Sequence, residues 1–363
     1  MKKVKILQSG DFHLDSPLIL HNNNFRRRRK VELLEAVSNI VNIGNKKEVD
    51  LLLLTGDIFD SKRVTRNTIM SFTNILGKFT GNIFISPGNH DPYTVGSIYD
   101  SFKFPENTHI FNGYEKIYLE KLDVYVHGIG FRDYYEEKDL FNLINIENKN
   151  SINILVTHGE INSGENSYHP ISLESIANSD LDYIAIGHRH NYSGIKMEEG
   201  TYYAYAGIPE PRGYDELRDK GIIYGDIYKG LVDLNFIKTN KRSYLEIDVD
   251  ISNTQTSFEI IKIIDDMSLD KENIYRFNLK GSILEHVIVD INSIKNYLKD
   301  EFYDFDVKDF TYIKERKDKI SDRSLQGIFL KTIKEKEASF DDKEMLKEAK
   351  KIGLRLLSQG EIL

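Results

Sequence analysis

Gly88-Asn89-His90-Asp91 stands just after the short apolar run Ile83-Phe84-Ile85. An amide, an imidazole and a carboxylate in three successive positions suit neither a hydrophobic core nor an ordinary loop. They suit a metal site, in which the side-chain oxygen of Asn89 binds an ion and His90 faces whatever that ion binds. A polar turn after a strand would explain the tetrapeptide equally well, so the interpretation depends on other motifs of the chain.

Further polar groups also follow short apolar runs that are typical of buried strands. They are Asp11 and His13 after Val4–Leu7, Asp57 after Leu51–Leu54, His158 after Ile152–Val156, and His188 and His190 after Tyr183–Ile186. Strands that alternate with helices, followed by a strand-rich stretch, predict a layered α/β fold with two packed sheets. Because the carboxyl ends of such strands share one crevice, we expect the five loops to meet there.

The converging side chains form a ligand set of two carboxylates, one amide and four imidazoles. They are Asp11, His13, Asp57, Asn89, His158, His188 and His190. Seven ligands are too many for one ion and suit two divalent ions that share a carboxylate and bind a phosphate group. Asp57 is the expected bridge, since Gly56 before it lets the backbone turn sharply. His90 is left over and is expected to protonate the leaving oxygen or to stabilise charge.

Composition narrows the class of protein without deciding its partner. The 363 residues predict two domains and an appendage, and no stretch has the length of a signal peptide core or a membrane span. The absence of cysteine excludes disulfides and thiolate ligands, and it fits a cytoplasmic location. A net charge of −8 argues against a broad nucleic-acid-coating surface, but bound divalent ions would still supply a local phosphate site.

The ordered series Asp-x-His, Gly-Asp, Gly-Asn-His-Asp, His-Gly and Gly-His-x-His resembles the calcineurin-like metallophosphoesterase superfamily. Within it, three stretches are similar to the SbcD and YhaO type of bacterial DNA-repair exonuclease. They are Ser9–Asp15 (SGDFHLD), Thr55–Asp60 (TGDIFD) and Ala206–Glu210 (AGIPE). The motifs extend over roughly Met1–Asn240.

The resemblance implies a four-layer α/β/β/α sandwich and a two-metal DNA exonuclease or endonuclease that acts in double-strand-break repair with water as the nucleophile. It assigns His90 as the catalytic histidine and distributes the ligands between two ions, most often Mn²⁺. One ion is bound by Asp11, His13, Asp57 and His190, and the other by Asp57, Asn89, His158 and His188. It also implies DNA, an SbcC-like or other SMC-like coiled-coil ATPase and a second copy of the chain as partners. The dimer contact is expected over Arg66–Phe79 and Tyr99–Phe102.

The character of the sequence changes near Asn240–Ser243, where the metal-ligand motifs end. We predict a metallophosphoesterase domain over 1–242, a small α+β capping domain over 243–316 and a charged helical tail over 317–363. Two helices, broken near 340–342, are expected in the tail. Their apolar faces would either dock on a partner or pack back on the main domain.

Several polar residues have two interpretations. Many relatives in the superfamily carry a histidine three residues after the bridging aspartate, whereas this chain has Asp60 there, which puts the positioning of the DNA strand in doubt. Arg189 and Arg212 are candidates for contact with DNA phosphates. The run Arg26–Lys30 is expected to be the solvated start of a helix, with phosphate contact as the alternative.

Two other functions compete with DNA cleavage. A phosphoesterase that acts on nucleotides, cyclic nucleotides or other small molecules would keep the metals and change the substrate. A DNA-end-binding scaffold with vestigial hydrolysis would keep the fold, but it would have no use for His90.

Overall fold

The computed structural model describes residues 2–18, 23–60, 63–161, 168–284, 287–313, 324–337, 340 and 342–359. The chain divides into two compact units, Met1–Ser243 and Tyr244–Leu363. The predicted boundary between a capping domain and a tail, at 316 and 317, lies outside the described residues.

The first unit is built from two mixed six-stranded sheets. Its strands are β1 (Lys3–Ser9), β2 (Leu51–Leu54), β3 (Asn82–Ile85), β4 (Thr108–Ile110), β5 (Tyr114–Leu119), β6 (Val124–Ile129), β7 (Ile152–His158), β8 (Glu160–Ile161), β9 (Pro170–Ile171), β10 (Tyr183–Gly187), β11 (Lys196–Glu198), β12 (Thr201–Tyr205), β13 (Gly221–Tyr228) and β14 (Leu231–Lys238). Its helices are α1 (Asn23–Lys46), α2 (Arg66–Leu76), α3 (Ile98–Ser101) and α4 (Leu173–Ala177), with a 3₁₀ turn at Phe141–Leu143. One sheet has the order β14-β13-β1-β2-β3-β4 and the other β11-β12-β10-β7-β6-β5.

The two sheets pack face to face. Leu51 and Leu53 of β2 lie in one buried apolar cluster with Ile154 and Val156 of β7. Each such side chain contributes about 1.5–3 kcal/mol through burial. On the outer face of the first sheet, Gly44 of α1 lies against Leu7 of β1. On the outer face of the second sheet, residues of α4 belong to another buried apolar cluster. Two sheets flanked by helices confirm the predicted four-layer fold.

The first turns of α1 depart from the sequence-based expectation. Arg26, Arg27 and Arg28 are exposed, whereas the Arg29 side chain is fully buried, so the prediction of a solvated or phosphate-contacting residue is wrong for Arg29. The Arg29 guanidinium donates to Glu32 at 2.6 Å, to Glu210 at 2.8 Å and to the Pro211 carbonyl at 2.6 Å. These charge-assisted hydrogen bonds compensate for the loss of solvation.

The second unit has its own core, with helices packed on a three-stranded parallel sheet of order β15-β16-β18. Its strands are β15 (Tyr244–Asp250), β16 (Ile274–Lys280), β17 (Ser282–Ile283), β18 (Asp304–Asp309) and β19 (Tyr312–Ile313), and its helices are α5 (Ser257–Asp266), α6 (Ile291–Leu298), α7 (Leu325–Lys336) and α8 (Lys343–Gln359). Leu354 of α8 is buried in this core, and Phe329 and Leu330 of α7 pack against it. Among the described residues, no helix combines the length and apolar character needed to cross a membrane.

Both terminal helices therefore contribute to the core of the second unit. Other apolar side chains of the same helices are exposed, namely Leu325, Ile328, Met345, Ile352 and Leu356. One face of the pair thus stabilises the second unit, and a second face meets solvent.

Candidate metal centre

The candidate site lies at the carboxyl ends of five strands. The loops after β1, β2 and β3 approach those after β7 and β10, with His158 paired to Gly187 in the second sheet. Three groups of side chains could each hold a metal ion, because within each group the potential ligand atoms lie within 4.8 Å of one another. They are Asp11, His13 and His190; His13, Asp57 and His90; and Asp11, Asp57 and His158. The structure thus brings five predicted ligands and His90 together.

The backbone of these loops is strained at the functional positions. The φ angles are +52° at Asp11, +44° at His13, +49° at Asp57 and +107° at His188. Residues with a side chain rarely adopt such conformations, and each costs on the order of 1–3 kcal/mol. Strain of this kind persists where the surrounding structure imposes it, most often at ligand and catalytic sites.

Glycines allow the loops to approach closely. A Cβ atom at Gly187 would lie 2.0 Å from the carbonyl oxygen of Thr55, which belongs to the other sheet's loops. A Cβ atom at Gly88 would lie 2.3 Å from Oδ1 of Asp57. Any larger residue at either position would therefore push the ligand-bearing loops apart.

The two central carboxylates are buried in different electrostatic surroundings. Burial and the charge of Asp57 raise the pKa of Asp11 well above its usual value. Burial also opposes ionisation of Asp57, but its electrostatic interactions with His158, His13 and His90 and the hydrogen bond from the His90 N–H outweigh burial and lower the pKa of Asp57 to about 2. Asp57 is therefore the carboxylate that stays ionised at the centre of the cluster.

Hydrogen bonds orient the imidazole rings. His158 places Nδ1 2.8 Å from the Thr55 carbonyl, which leaves Nε2 3.0 Å from Oδ1 of Asn89 and 3.5 Å from Asp57. Nδ1 of His190 lies 2.9 Å from Glu216. A partner on one ring nitrogen selects the tautomer whose other nitrogen keeps a lone pair for a metal ion.

The chemistry of the donor atoms fits a divalent cation. Nε2 of His13 and Nε2 of His190 approach to 3.3 Å, and burial lowers the pKa of His13 well below its usual value, so that neutral His13 is favoured. Lone pairs that converge beside two buried carboxylates repel one another unless positive charge lies between them. Imidazole nitrogens with carboxylate and amide oxygens suit Mn²⁺, Zn²⁺ or Fe²⁺.

His188 lies at the edge of this cluster. Its ring centroid is 5.2 Å from that of His158, and Nε2 is 3.2 Å from a carboxylate oxygen of Glu160. With Nε2 next to Glu160, Nδ1 is the ring nitrogen that remains for a metal ion. His90 is exposed, with its ring 4.6 Å from that of His13.

The two arginines predicted to contact DNA each have a carboxylate partner within the chain. Arg189 donates from Nε to Glu160 at 2.7 Å, and Arg212 donates from Nε to Glu216 at 3.0 Å. Contact between either side chain and DNA stays a prediction. Asp60, the departure from the family pattern, lines a cavity with Asn89 and His90.

Asp91 is a residue whose role the sequence did not suggest, although it belongs to the Gly-Asn-His-Asp motif. Its buried carboxylate accepts hydrogen bonds from the backbone N–H groups of Gly88, Asp57, Ile58 and Phe59 at 2.7–3.1 Å. It also accepts one from the Tyr99 hydroxyl at 2.7 Å. Burial and the charge of Asp57 raise the pKa of Asp91 to about 8. Asp91 thus ties the loop of the bridging aspartate to the loop that carries Asn89.

Replacing Asp91 by alanine is expected to lower the free energy of unfolding by about 3 kcal/mol or more, because several buried N–H groups lose their acceptor. Urea denaturation monitored by circular dichroism measures this change. Tyr99→Phe is the matched control, since it removes only the hydroxyl contact and should cost about 1 kcal/mol. Equal effects of the two substitutions would contradict the assigned role of the Asp91 carboxylate.

Comparisons with known proteins agree with this geometry. A family model described as calcineurin-like phosphoesterase matches residues 4–192. The chain is similar to the uncharacterized metallophosphoesterase YhaO of Bacillus subtilis, with 23% identity over 72% of this chain and 66% of the relative. It thus spans just under two thirds of that relative's length.

Two further relatives differ in the substrates that their names indicate. The DNA double-strand break repair protein Mre11 of Saccharolobus solfataricus is 28% identical over 73% of this chain and 70% of the relative. A probable cyclic nucleotide phosphodiesterase of Coxiella burnetii is 29% identical over 35% of this chain and 49% of the relative.

Proposed function

Because the chain belongs to the calcineurin-like phosphoesterase family and is a metallophosphoesterase, we propose that it hydrolyses phosphodiester bonds of DNA as an SbcD/YhaO-type repair nuclease. The observation that supports hydrolase activity is the buried cluster of Asp11, Asp57 and neighbouring imidazoles, with the exposed His90 at its open side. The similarity to DNA double-strand break repair proteins at 24–28% identity supports DNA as the substrate.

Two divalent ions, proposed to be Mn²⁺, would share Asp57. Asp11, His13 and His190 complete the set for one ion, and Asn89, His158 and His188 complete the set for the other. Such ions supply Lewis-acid chemistry, since they withdraw electron density from a phosphate ester and lower the pKa of water.

The residues of the chain supply positioning and proton transfer. In the hydrolysis, a bond forms between a water oxygen and phosphorus, and the bond between phosphorus and the leaving oxygen breaks. His90 is proposed to hold the proton that the leaving oxygen takes up, while the proton that the attacking water loses passes to solvent, from which His90 is protonated again. Its backbone N–H donates to Oδ1 of Asp57 at 2.8 Å, which fixes the imidazole relative to the ligand cluster.

The similarity to a cyclic nucleotide phosphodiesterase supports a second candidate, a small-diester hydrolase. We expect metal-dependent release of nucleotides from DNA to exceed turnover of 3′,5′-cyclic AMP at equal concentration. Chromatography of both reactions, run with MnCl₂ and with EDTA, makes the comparison. If cyclic AMP is hydrolysed rapidly and DNA is not cleaved, the small-diester hydrolase is favoured instead.

We further propose a coiled-coil ATPase of the SMC type as a partner and a homodimer as the assembly. The exposed apolar face of α7 and α8, which includes Met345 and Ile352, supports docking of a partner helix. The buried Tyr99 cannot contribute directly to the predicted dimer contact, whereas Asp100 and Ser101 are exposed.

Met345→Asp with Ile352→Asp is expected to weaken capture of the ATPase by at least about 10-fold, because two charges would be buried in an apolar contact. Leu354 is left intact, since it belongs to the core of the second unit. Pull-down with the ATPase encoded by the same organism provides the measurement, and Lys350→Asp serves as a control for a change of charge alone. Undiminished capture by the double variant would exclude this face.

A further inference from the structure

A cleft opens directly beside His90. It has a volume of about 470 Å³, within the range of pockets that hold one small ligand. Asn89 and His90 form part of its wall, so the cleft is continuous with the candidate metal centre. Whatever is attached to a phosphate at that centre must therefore lie in or next to the cleft.

Three tyrosines line the cleft, namely Tyr134, Tyr135 and Tyr168. Tyr135 is 63% exposed, and its ring lies 6.3 Å from that of Tyr168 at an interplanar angle of 35°. An exposed tyrosine offers a flat apolar face with a polar tip. Tyrosine faces at this position suit a planar ring of the ligand.

The charges of the cleft do not suit a track for phosphates. Arg63, its one lining cation among the described residues, has its guanidinium 3.6 Å from the carboxylate of Asp60, which also lines the cleft. The two charges offset each other, so the described part of the lining carries no excess of positive charge for a DNA backbone. The ligand part that fits is therefore a base rather than a second phosphate.

We propose that this cleft binds one unpaired nucleobase of the substrate, stacked on Tyr135, while the attached phosphate lies at the metal centre beside His90. This inference rests on the proposed nuclease function and specifies the form of DNA that the site accepts. A base inside a duplex is covered on both faces by its neighbours, so it must leave the stack before a tyrosine can contact it. Unstacking is least costly for frayed, mismatched or single-stranded nucleotides. The enzyme then prefers unpaired ends to blunt duplex ends.

The experiment compares two single strands of equal length, one with normal bases and one built entirely from stable abasic nucleotides. Tyr135→Ala is expected to lower kcat/KM on the normal strand by about 5-fold to 100-fold, the range measured for loss of one base–aromatic stack. The abasic strand should be cleaved equally by both proteins. Tyr135→Trp should retain activity on the normal strand because it keeps a ring. Tyr118→Ala is the matched control, since Tyr118 is 45% exposed and does not line the cleft.

A binding measurement separates this inference from the proposed function. The metal-loaded protein is titrated calorimetrically with the phosphonate analogue of deoxyadenosine monophosphate, which has no ester bond to cleave, and with the corresponding deoxyribose phosphonate. We expect the base-bearing compound to bind about 5-fold to 100-fold more tightly, and Tyr135→Ala to abolish the difference. The inference would be overturned if the unaltered protein bound both compounds equally. It would also be overturned if Tyr135→Ala lowered kcat/KM equally on the normal strand and on the abasic strand. If the protein does not cleave DNA but still binds the base-bearing compound more tightly, the nuclease function is rejected and the binding of a nucleobase in the cleft is retained.

Discussion

Replacing His90 by alanine is expected to lower kcat by about 100-fold to 10,000-fold, the usual contribution of a positioned general acid. His90 is the exposed imidazole of the cluster, whereas His13 and His158 are buried. It is also the one imidazole that the ligand assignment leaves over. Its removal should therefore leave both metal ions bound and should impair proton delivery to the leaving oxygen.

The measurement pairs steady-state kinetics with metal analysis of the same preparation. A substrate with an acidic phenol as leaving group needs little protonation, so it should recover much of the lost rate in His90→Ala. The rate of the unaltered protein on the same substrate is the reference. Full activity of the variant on DNA, or loss of a metal ion from it, would contradict the assignment of His90 as a proton donor.

Replacing Asp57 by asparagine is expected to abolish detectable hydrolysis and to weaken metal binding by more than about 100-fold. Loss of a residue that merely orients a ligand already costs about 10-fold to 100-fold, and Asp57 belongs to two of the three ligand groups. Its carboxylate is also the one that stays ionised, since neighbouring imidazoles lower its pKa to about 2. An amide cannot supply the negative charge that two cations would share.

The same substitution should remove the stabilisation that MnCl₂ gives the folded protein, and in the metal-free protein it removes both the attraction of Asp57 to the imidazoles that lower its pKa and its repulsion of neighbouring carboxylates. Burial and the charge of Asp57 raise the pKa of both Asp11 and Asp91, and the contribution of Asp57 means that the carboxylates repel one another in the absence of cations. The asparagine oxygen can still accept the hydrogen bond from the His90 N–H. Thermal unfolding with and without MnCl₂ measures both effects.

Asp60→Asn is the matched control, because it makes the same change three residues away and outside the ligand groups. It should keep the stabilisation by MnCl₂. Retention of that stabilisation in Asp57→Asn would show that Asp57 is not the shared ligand.

The strand ends could be predicted from the sequence because each apolar run needs burial on both faces. Leu51–Leu54 is an example, with all four residues buried in the structure. A polar residue after such a run can only lie at the edge of the sheet, where parallel strands bring their loops together. This reasoning also located His90 and Asn89 beside the ligand cluster.

Other features depended on contacts between segments that are far apart in the chain. Arg29 follows three exposed arginines, and its burial is compensated by Glu32 of the same helix together with the distant Glu210 and Pro211. The tyrosine cleft likewise combines a loop near Asn89 with loops that carry Tyr135 and Tyr168.

The sequence by itself determined the family, the layered fold and the residue types at the centre, because hydrophobic periodicity and short polar motifs are local properties of the chain. Only the tertiary structure decided that Asp91 joins two loops, that Glu216 and Glu160 partner the histidines of the last motif, and that α7 and α8 pack on the second unit. The physical reason is that a buried charge or an apolar face is stable only with a specific partner. Which partner lies within reach is settled by the folding of distant segments against one another.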